Sequence, residues 1–162
     1  MFITVHAAAG VIIGKQVNHK VWAFVLAFLS HFILDIIPHG DEVLEKKFFG
    51  IKVKDIAKER LMALYGSIDA VVLAFYLIFI FKTYSFAQND PVNLAIIGAI
   101  LPDLLVAIYK IKNFKWLKWF YLLHTYNHRL ITEKIKYVMP LKLGILLETA
   151  LLIFFTSIIS FI

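Results

Sequence analysis

Apolar residues occur along this chain in five long blocks, at 2–14, 21–37, 61–81, 92–109 and 141–162. The last four blocks approach or exceed the roughly 20 residues that a helix needs to cross a bilayer. Pro38 ends the second block and Pro140 precedes the fifth, which is where prolines are expected near helix boundaries. The first block would form a helix of only about 20 Å, so we expect it to be tilted or re-entrant.

The blocks predict an all-α integral membrane protein, a single helical domain over residues 1–162. We expect a bundle of about five transmembrane or re-entrant helices. Residues 114–121 mix Lys115 and Lys118 with Trp and Tyr side chains, which favour the headgroup zone. This segment therefore predicts an additional interfacial amphipathic helix, with a short membrane helix as the alternative.

The composition supports a membrane protein. Hydrophobic residues make up 61% and charged residues 17% of the chain, and the mean hydropathy is +0.81, which excludes a soluble or disordered chain. Because there is no cysteine, disulfides, thiolate metal sites and cysteine nucleophiles are excluded. The net charge of +6 indicates a basic rim facing anionic membrane lipid, and we expect no nucleic-acid partner.

The distribution of basic residues predicts the orientation. If blocks two to five each cross the membrane once, residues 38–60 and 110–140 lie on the same side. That side, with Lys142, holds 14 of the 17 Lys and Arg residues. The positive-inside rule then places these long basic loops in the cytoplasm, as expected for the inner membrane of a prokaryote.

Ionisable residues within the apolar blocks predict a functional site. Each such residue costs about 2.5–3.5 kcal/mol or more in a membrane and usually has a functional reason. With the predicted orientation, the residues in question lie within about 12 Å of the cytoplasmic ends of their helices; they are His31, Asp35, Asp69, Asp103 and Glu148. Because separate helices place these groups at one depth, we interpret them as a single site.

The spacing of the histidines and carboxylates favours metal binding. His31 and Asp35 share one helix face, as do His124 and His128. Imidazole and carboxylate donors suit a divalent transition metal such as Zn²⁺, Mn²⁺ or Fe²⁺, and their number would serve two ions. The predicted ligands are His6, His31, Asp35, His39, Asp41, Asp103, His124 and His128.

Other residues receive supporting roles. Asp69 and Glu148 are candidates for a general acid or base, with a structural hydrogen-bonding role as the alternative for each. Arg129, Lys110 and Lys112 are candidates for binding an anionic substrate. We expect His19 to be solvated and Gly98 to permit close helix packing.

Four segments resemble the YdjM-like family of membrane-bound, metal-dependent hydrolases. They are Val5-His6-Ala7-Ala8-Ala9-Gly10, Ser30-His31-Phe32-Ile33-Leu34-Asp35, Leu101-Pro102-Asp103 and His124-Thr125-Tyr126-Asn127-His128-Arg129. The order of the motifs differs, since the Ser-His-x-x-x-Asp helix comes second here. The resemblance implies a small helical membrane protein with a hydrolytic metal site, in which the site residues would be His6, His31, Asp35, Asp103, His124 and His128.

The leading hypothesis is a membrane-embedded metal-dependent hydrolase that opens at the cytoplasmic interface. The basic surroundings favour an anionic, lipid-like substrate, either a lipid phosphoester or a diphosphate. A transporter for a divalent metal or a proton is the first alternative, because His and carboxylates in membrane helices also build ion pathways. A haem protein that uses His31 with His124 or His128 is the second alternative.

Overall fold

The computed structural model describes residues 1–40, 56–86 and 90–162, and all regular structure within them is helical. The predicted all-α class is therefore confirmed. The helices are α1 (Ile3–Gln16), α2 (Lys20–Asp35), α3 (Ile56–Thr83), α4 (Val92–Lys112), a short 3₁₀ helix (Lys115–Leu117), α5 (Lys118–Ile135) and α6 (Leu141–Phe161). The predicted ligand Asp41 lies outside the described residues.

Three helices contain segments that are long and apolar enough to cross a membrane. The segments are Leu64–Thr83 in α3, Val92–Lys112 in α4 and Leu141–Phe161 in α6. Large apolar side chains on their outer faces are exposed, for example Phe75, Ile97 and Ile153. Such continuous apolar surface indicates association with a membrane.

Helix α1 is the centre of the bundle and packs against α2, α3, α4 and α6. Its sequence contains the run Ala7-Ala8-Ala9-Gly10, and all four of these residues are buried. Small side chains allow helix backbones to approach closely, which is the usual way of packing helices in lipid. A polar residue on α1, such as His6, is therefore held in the interior by neighbours on all sides.

Helices α2 and α4 cross in close contact at Gly98. A β-carbon on this residue would overlap the backbone carbonyl of Phe24, so only glycine fits. The expectation that Gly98 permits close helix packing is thus confirmed. This contact fixes the separation of the two helices that carry His31 and Asp103.

Helix α5 lies against α2 and α4 and has two apolar faces. Phe120 and the preceding Leu117 are buried against the bundle. The opposite face exposes a stripe with helical spacing, formed by Trp119, Leu122, Leu123 and Tyr126. The inner face, which carries His124 and His128, is thereby directed towards α2.

Candidate metal centre

The site begins with His31 and Asp35, whose side chains are fully buried on the last turns of α2. His31 Nδ1 lies 2.8 Å from the carbonyl oxygen of Ala99 on α4. Because a carbonyl can only accept, Nδ1 carries the proton in this hydrogen bond. In the neutral ring, the lone pair is then on Nε2, which is the usual arrangement of a metal-binding histidine held by a backbone carbonyl.

Pro102 lies inside α4, one turn after the carbonyl that accepts from His31. A proline within a helix lacks an N–H group, so the carbonyl four residues before it, here that of Gly98, loses its helical partner. Ala99 follows Gly98 in this turn, and its carbonyl oxygen accepts the hydrogen bond from His31. The hydrogen bond therefore joins α2 to the turn of α4 that precedes the proline.

Three side chains converge on the Nε2 atom of His31. His124 Nε2 lies 3.1 Å from it, Asp35 Oδ2 2.9 Å and Asp103 Oδ1 3.7 Å. His124 Nε2 is also 3.4 Å from Asp35 Oδ2 and 3.3 Å from Asp103 Oδ1. We call these four residues the first ligand group; they come from α2, α4 and α5.

The distances within the first ligand group match those of a tetrahedral metal site. Zinc bonds of about 2.0–2.1 Å at tetrahedral angles separate neighbouring ligand atoms by about 3.3 Å. The five measured separations range from 2.9 to 3.7 Å. Two imidazole nitrogens and two carboxylate oxygens also form a donor set that suits divalent transition metals. The residues present therefore fit a metal ion.

A second ligand group consists of Asp35, His39 and His128, with ligand atoms within 4.8 Å of one another. His128 Nε2 lies 2.9 Å from Asp35 Oδ2. His39 Nδ1 lies 2.6 Å from the carbonyl of Ile37, which again leaves the lone pair of the neutral ring on Nε2. The nitrogen of Met1 is 2.6 Å from that Nε2 atom. Asp35 thus belongs to both ligand groups.

The turn that carries His39 is held by α6. Gly40 has a φ angle of +87°, a conformation that suits glycine, and it packs against Leu141. A β-carbon on Gly144 would overlap the His39 carbonyl oxygen. The first turn of α6 therefore supports the second ligand group from behind.

His6 lies behind the ligand groups and belongs to neither of them. Its Nε2 atom is 3.1 Å from Asp35 Oδ1, to which it donates, and its ring stacks on His31 with centroids 3.9 Å apart. A donor in this position orients the carboxylate and leaves Oδ2 available. The structure therefore places His6 as a partner of Asp35.

Asp69 and Glu148 also lie outside the two ligand groups. Asp69 accepts a hydrogen bond from the backbone N–H of Ile3, at 2.7 Å, and one from the Thr4 hydroxyl, at 2.9 Å. It therefore binds N–H groups that have no partner within the helix at the start of α1. This agrees with a structural hydrogen-bonding role, the alternative to a general acid or base. Glu148 is buried on α6, one turn after Gly144, and its role as a general acid or base stays a prediction.

The site is closed on one side and accessible on the other. The side chains of His31 and Asp35 are 0% exposed, whereas Asp103 is 26% and His128 is 18% exposed. Arg129, Lys110 and Lys112 are all exposed, the first on α5 and the other two at the end of α4. Burial lowers the pKa of His128 below its ordinary value, although its contact with Asp35 opposes the change. The lowered pKa favours the neutral ring, which is the form that binds a metal.

Aromatic side chains surround the histidines of the first ligand group. Phe32 makes edge contacts with His31 and His124, with ring centroids 5.6 and 6.1 Å apart. Phe120 lies beside Phe32, with ring centroids 6.2 Å apart, and its ring centroid is 6.4 Å from that of His124. These rings exclude water, and electrostatic interactions are stronger in such an environment.

Two contributors to the site are not singled out by the sequence. The Ala99 carbonyl cannot be inferred, because every residue has a carbonyl; only Pro102 hints that one is released nearby. Asn127 donates from Nδ2 to the carbonyl oxygen of Phe32, at 2.8 Å, and so links α5 to α2. An asparagine inside a helix is unfavourable without such a partner, which is a signal that the sequence does contain.

Comparisons with models of known protein families, with curated proteins and with solved structures give no match to this chain.

Proposed function

We propose that this protein is a membrane-embedded metal-dependent hydrolase. The observation that carries the proposal is the convergence of two histidine nitrogens and two carboxylate oxygens in the first ligand group, all within 4.8 Å of one another. The residues that resemble the YdjM-like hydrolase motifs include all four of these ligands, which agrees with the proposal.

The arrangement favours a bound cation. His31 Nε2 lies 2.9 Å from a carboxylate oxygen of Asp35, and the two atoms repel each other unless a proton or a metal ion lies between them. The N-terminal ammonium of Met1 lies on the other carboxylate oxygen, Oδ1, at 3.3 Å. Within the described residues, Asp35 Oδ2 makes no hydrogen bond of normal geometry, although His31 and His128 are both close to it. A single proton can join only two of the converging atoms, whereas a metal ion can satisfy all four.

The proposed cofactor is a divalent transition metal, Zn²⁺ or Mn²⁺, with one ion in each ligand group. Such an ion activates water for attack near neutral pH and stabilises negative charge on a phosphoryl oxygen. His6 and the Ala99 carbonyl hold Asp35 and His31 in their orientation. Asp103, the most exposed carboxylate of the first ligand group, lies where a substrate and a water molecule can reach it.

The proposed substrate is an anionic lipid, either a phosphoester or a diphosphate. Residues 104–132 contain five basic residues and no acidic residue. Lys110 lies two turns after Asp103 on the same face of α4, because seven residues make nearly two helical turns. A negatively charged headgroup approaching Asp103 would therefore pass cationic side chains, which favours its binding.

The geometry favours hydrolysis over the two alternatives. Haem bound between His31 and His124 would need space for a macrocycle, whereas their Nε2 atoms are 3.1 Å apart with two carboxylates beside them. A transported cation would have to pass the apolar core formed by Ala8, Val11, Ile80 and Ile96. That core offers no charged ligand, and crossing it costs several kcal/mol or more.

We further propose that α1 and α2 cross or enter the membrane with α3, α4 and α6, and that α5 lies at the cytoplasmic interface of a prokaryotic inner membrane. A cysteine at Asn113 should then be protected from impermeant thiol reagents in intact cells, and one at Ser85 should be labelled. Both residues lie at exposed ends of helices, and the chain has no other cysteine. The reverse labelling would place the site on the outer face.

The proposal predicts phosphate release from lipid. Detergent-solubilised protein loaded with Zn²⁺ or Mn²⁺ should release phosphate or a phosphorylated headgroup from an anionic lipid, measured over a panel of lipid phosphoesters and diphosphates. Chelation of the metal should stop this release, and restoring the metal should recover it. Liposomes containing the protein should take up neither ion. Metal uptake without turnover on any lipid would contradict the proposal and support a transporter.

A further inference from the structure

Asn127 occupies a special position between the two histidines of α5. His124 belongs to the first ligand group and His128 to the second, so the asparagine lies within one helical turn of a ligand of each group. Its side chain is directed towards α2, where it donates to the carbonyl oxygen of Phe32 at 2.8 Å. Phe32 directly follows the ligand His31 in the sequence.

The acceptor lies in the last turn of α2. The last carbonyls of a helix have no N–H donor within the helix, so they accept hydrogen bonds from other groups. The side-chain amide of Asn127 is such a donor, and it reaches Phe32 from 95 residues away in the sequence. This hydrogen bond thus connects the end of α2 to the middle of α5.

Helix α5 has few other means of fixing its register against α2. The contacts of Phe120 with Phe28 and Phe32 are apolar ring contacts, with centroids 6.3 and 6.2 Å apart. Apolar contacts tolerate small shifts and rotations, whereas a hydrogen bond prescribes both distance and direction. Among the described residues, three further polar contacts between the two helices are seen, and all of them involve His124 or His128.

From this geometry we propose that Asn127 is a positioning residue for the metal centre. Resting on the proposed function, this inference states that Asn127 holds α5 in the register at which His124 and His128 meet Asp35. Without this hydrogen bond, metal binding alone would have to fix the positions of the two histidines. The residue acts through its hydrogen bond to α2.

The test uses the full chain in detergent with Co²⁺ as the probe. Asn127→Asp keeps the size of the side chain and removes the N–H donor, and Asn127→Ala removes both. Each should weaken Co²⁺ binding by roughly 10–100-fold, as is typical when a supporting partner of metal ligands is removed. The d–d absorption of the bound Co²⁺ should also change, because the ligand geometry is altered. Asn93→Ala removes the same side chain from an exposed position on α4 and should alter neither quantity.

A second measurement separates this inference from the proposed function. Spin labels at Trp22→Cys on α2 and Leu122→Cys on α5 occupy exposed positions in a chain without native cysteine. In the presence of a chelator, Asn127→Ala should broaden the distribution of distances between the labels. If the parent protein binds no Co²⁺ but the distribution broadens, the positioning role stands and the proposed metal centre fails.

Two results would overturn the inference. One is an unchanged distance distribution in the Asn127 variants. The other is a lower melting temperature together with unchanged Co²⁺ affinity and absorption, which would make Asn127 a residue of general stability.

Discussion

Asp35→Asn should remove metal from both ligand groups, whereas substitutions at residues that belong to one group should remove metal mainly from that group. The reason is that Asp35 is the shared member of the two groups. Replacing its carboxylate by an amide removes the negative charge that faces His31 and His128. We expect bound metal to fall by at least about tenfold, since losing a ligand should cost no less than losing a supporting partner.

The selective variants make this prediction specific. When metal is supplied in excess, Asp103→Asn should empty the first group and His39→Ala the second, each leaving about half of the metal measured by elemental analysis of purified protein. His19→Ala is the matched control, because this histidine is exposed at the start of α2, and it should retain all of the metal. Full retention of metal by Asp35→Asn would end the interpretation of this cluster as a metal centre.

Gly98→Ala should destabilise the protein and also disturb the site. Its β-carbon would overlap the Phe24 carbonyl, which is backbone and cannot rotate away. Helices α2 and α4 would have to separate, at a cost of about 1–3 kcal/mol. Because His31 on α2 and Asp103 on α4 must meet, their separation should also weaken metal binding. Thermal unfolding in detergent and Co²⁺ titration would measure the two effects.

Gly66→Ala is the control for this substitution. Gly66 lies in α3, and a β-carbon there would meet no atom within 4 Å. Alanine is favoured over glycine inside a helix by up to about 1 kcal/mol, so this variant should be as stable as the parent protein or more so. Equal losses of stability in both variants would contradict the close contact of α2 and α4 at Gly98.

The helices are readily predicted from the sequence because each apolar block is long and bounded by polar residues or proline. The block at 92–109 and the helix Val92–Lys112 begin at the same residue, and Leu141 begins both the last block and α6. The second block extends two residues beyond α2, which ends at Asp35, because apolar Ile36 and Ile37 precede the proline. Hydropathy alone does not show at which residue a helix ends.

The members of the site can be suggested from the sequence, but their individual roles cannot. The free-energy cost of burying an ionisable group in a membrane marks His6, His31 and Asp69 equally as candidate site residues. In the structure His31 faces the other ligands, His6 supports Asp35 and Asp69 binds the start of α1. These differences depend on which helices are neighbours, and spacing along one helix contains no such information. An asparagine inside a helix signals a polar partner, but the sequence cannot show that the partner of Asn127 is the Phe32 carbonyl.

The shared carboxylate of Asp35 has a thermodynamic consequence. Two ions that use one residue cannot bind independently, because the first fixes the carboxylate and neutralises part of its charge before the second arrives. Fixing the residue favours the second ion, while the loss of free charge and the repulsion between ions oppose it. Whichever effect is larger, the influence of each ion on the affinity of the other must be equal. Occupancy of the two ligand groups would therefore be cooperative, with positive or negative sign, and Asp35 would be the residue through which the coupling acts.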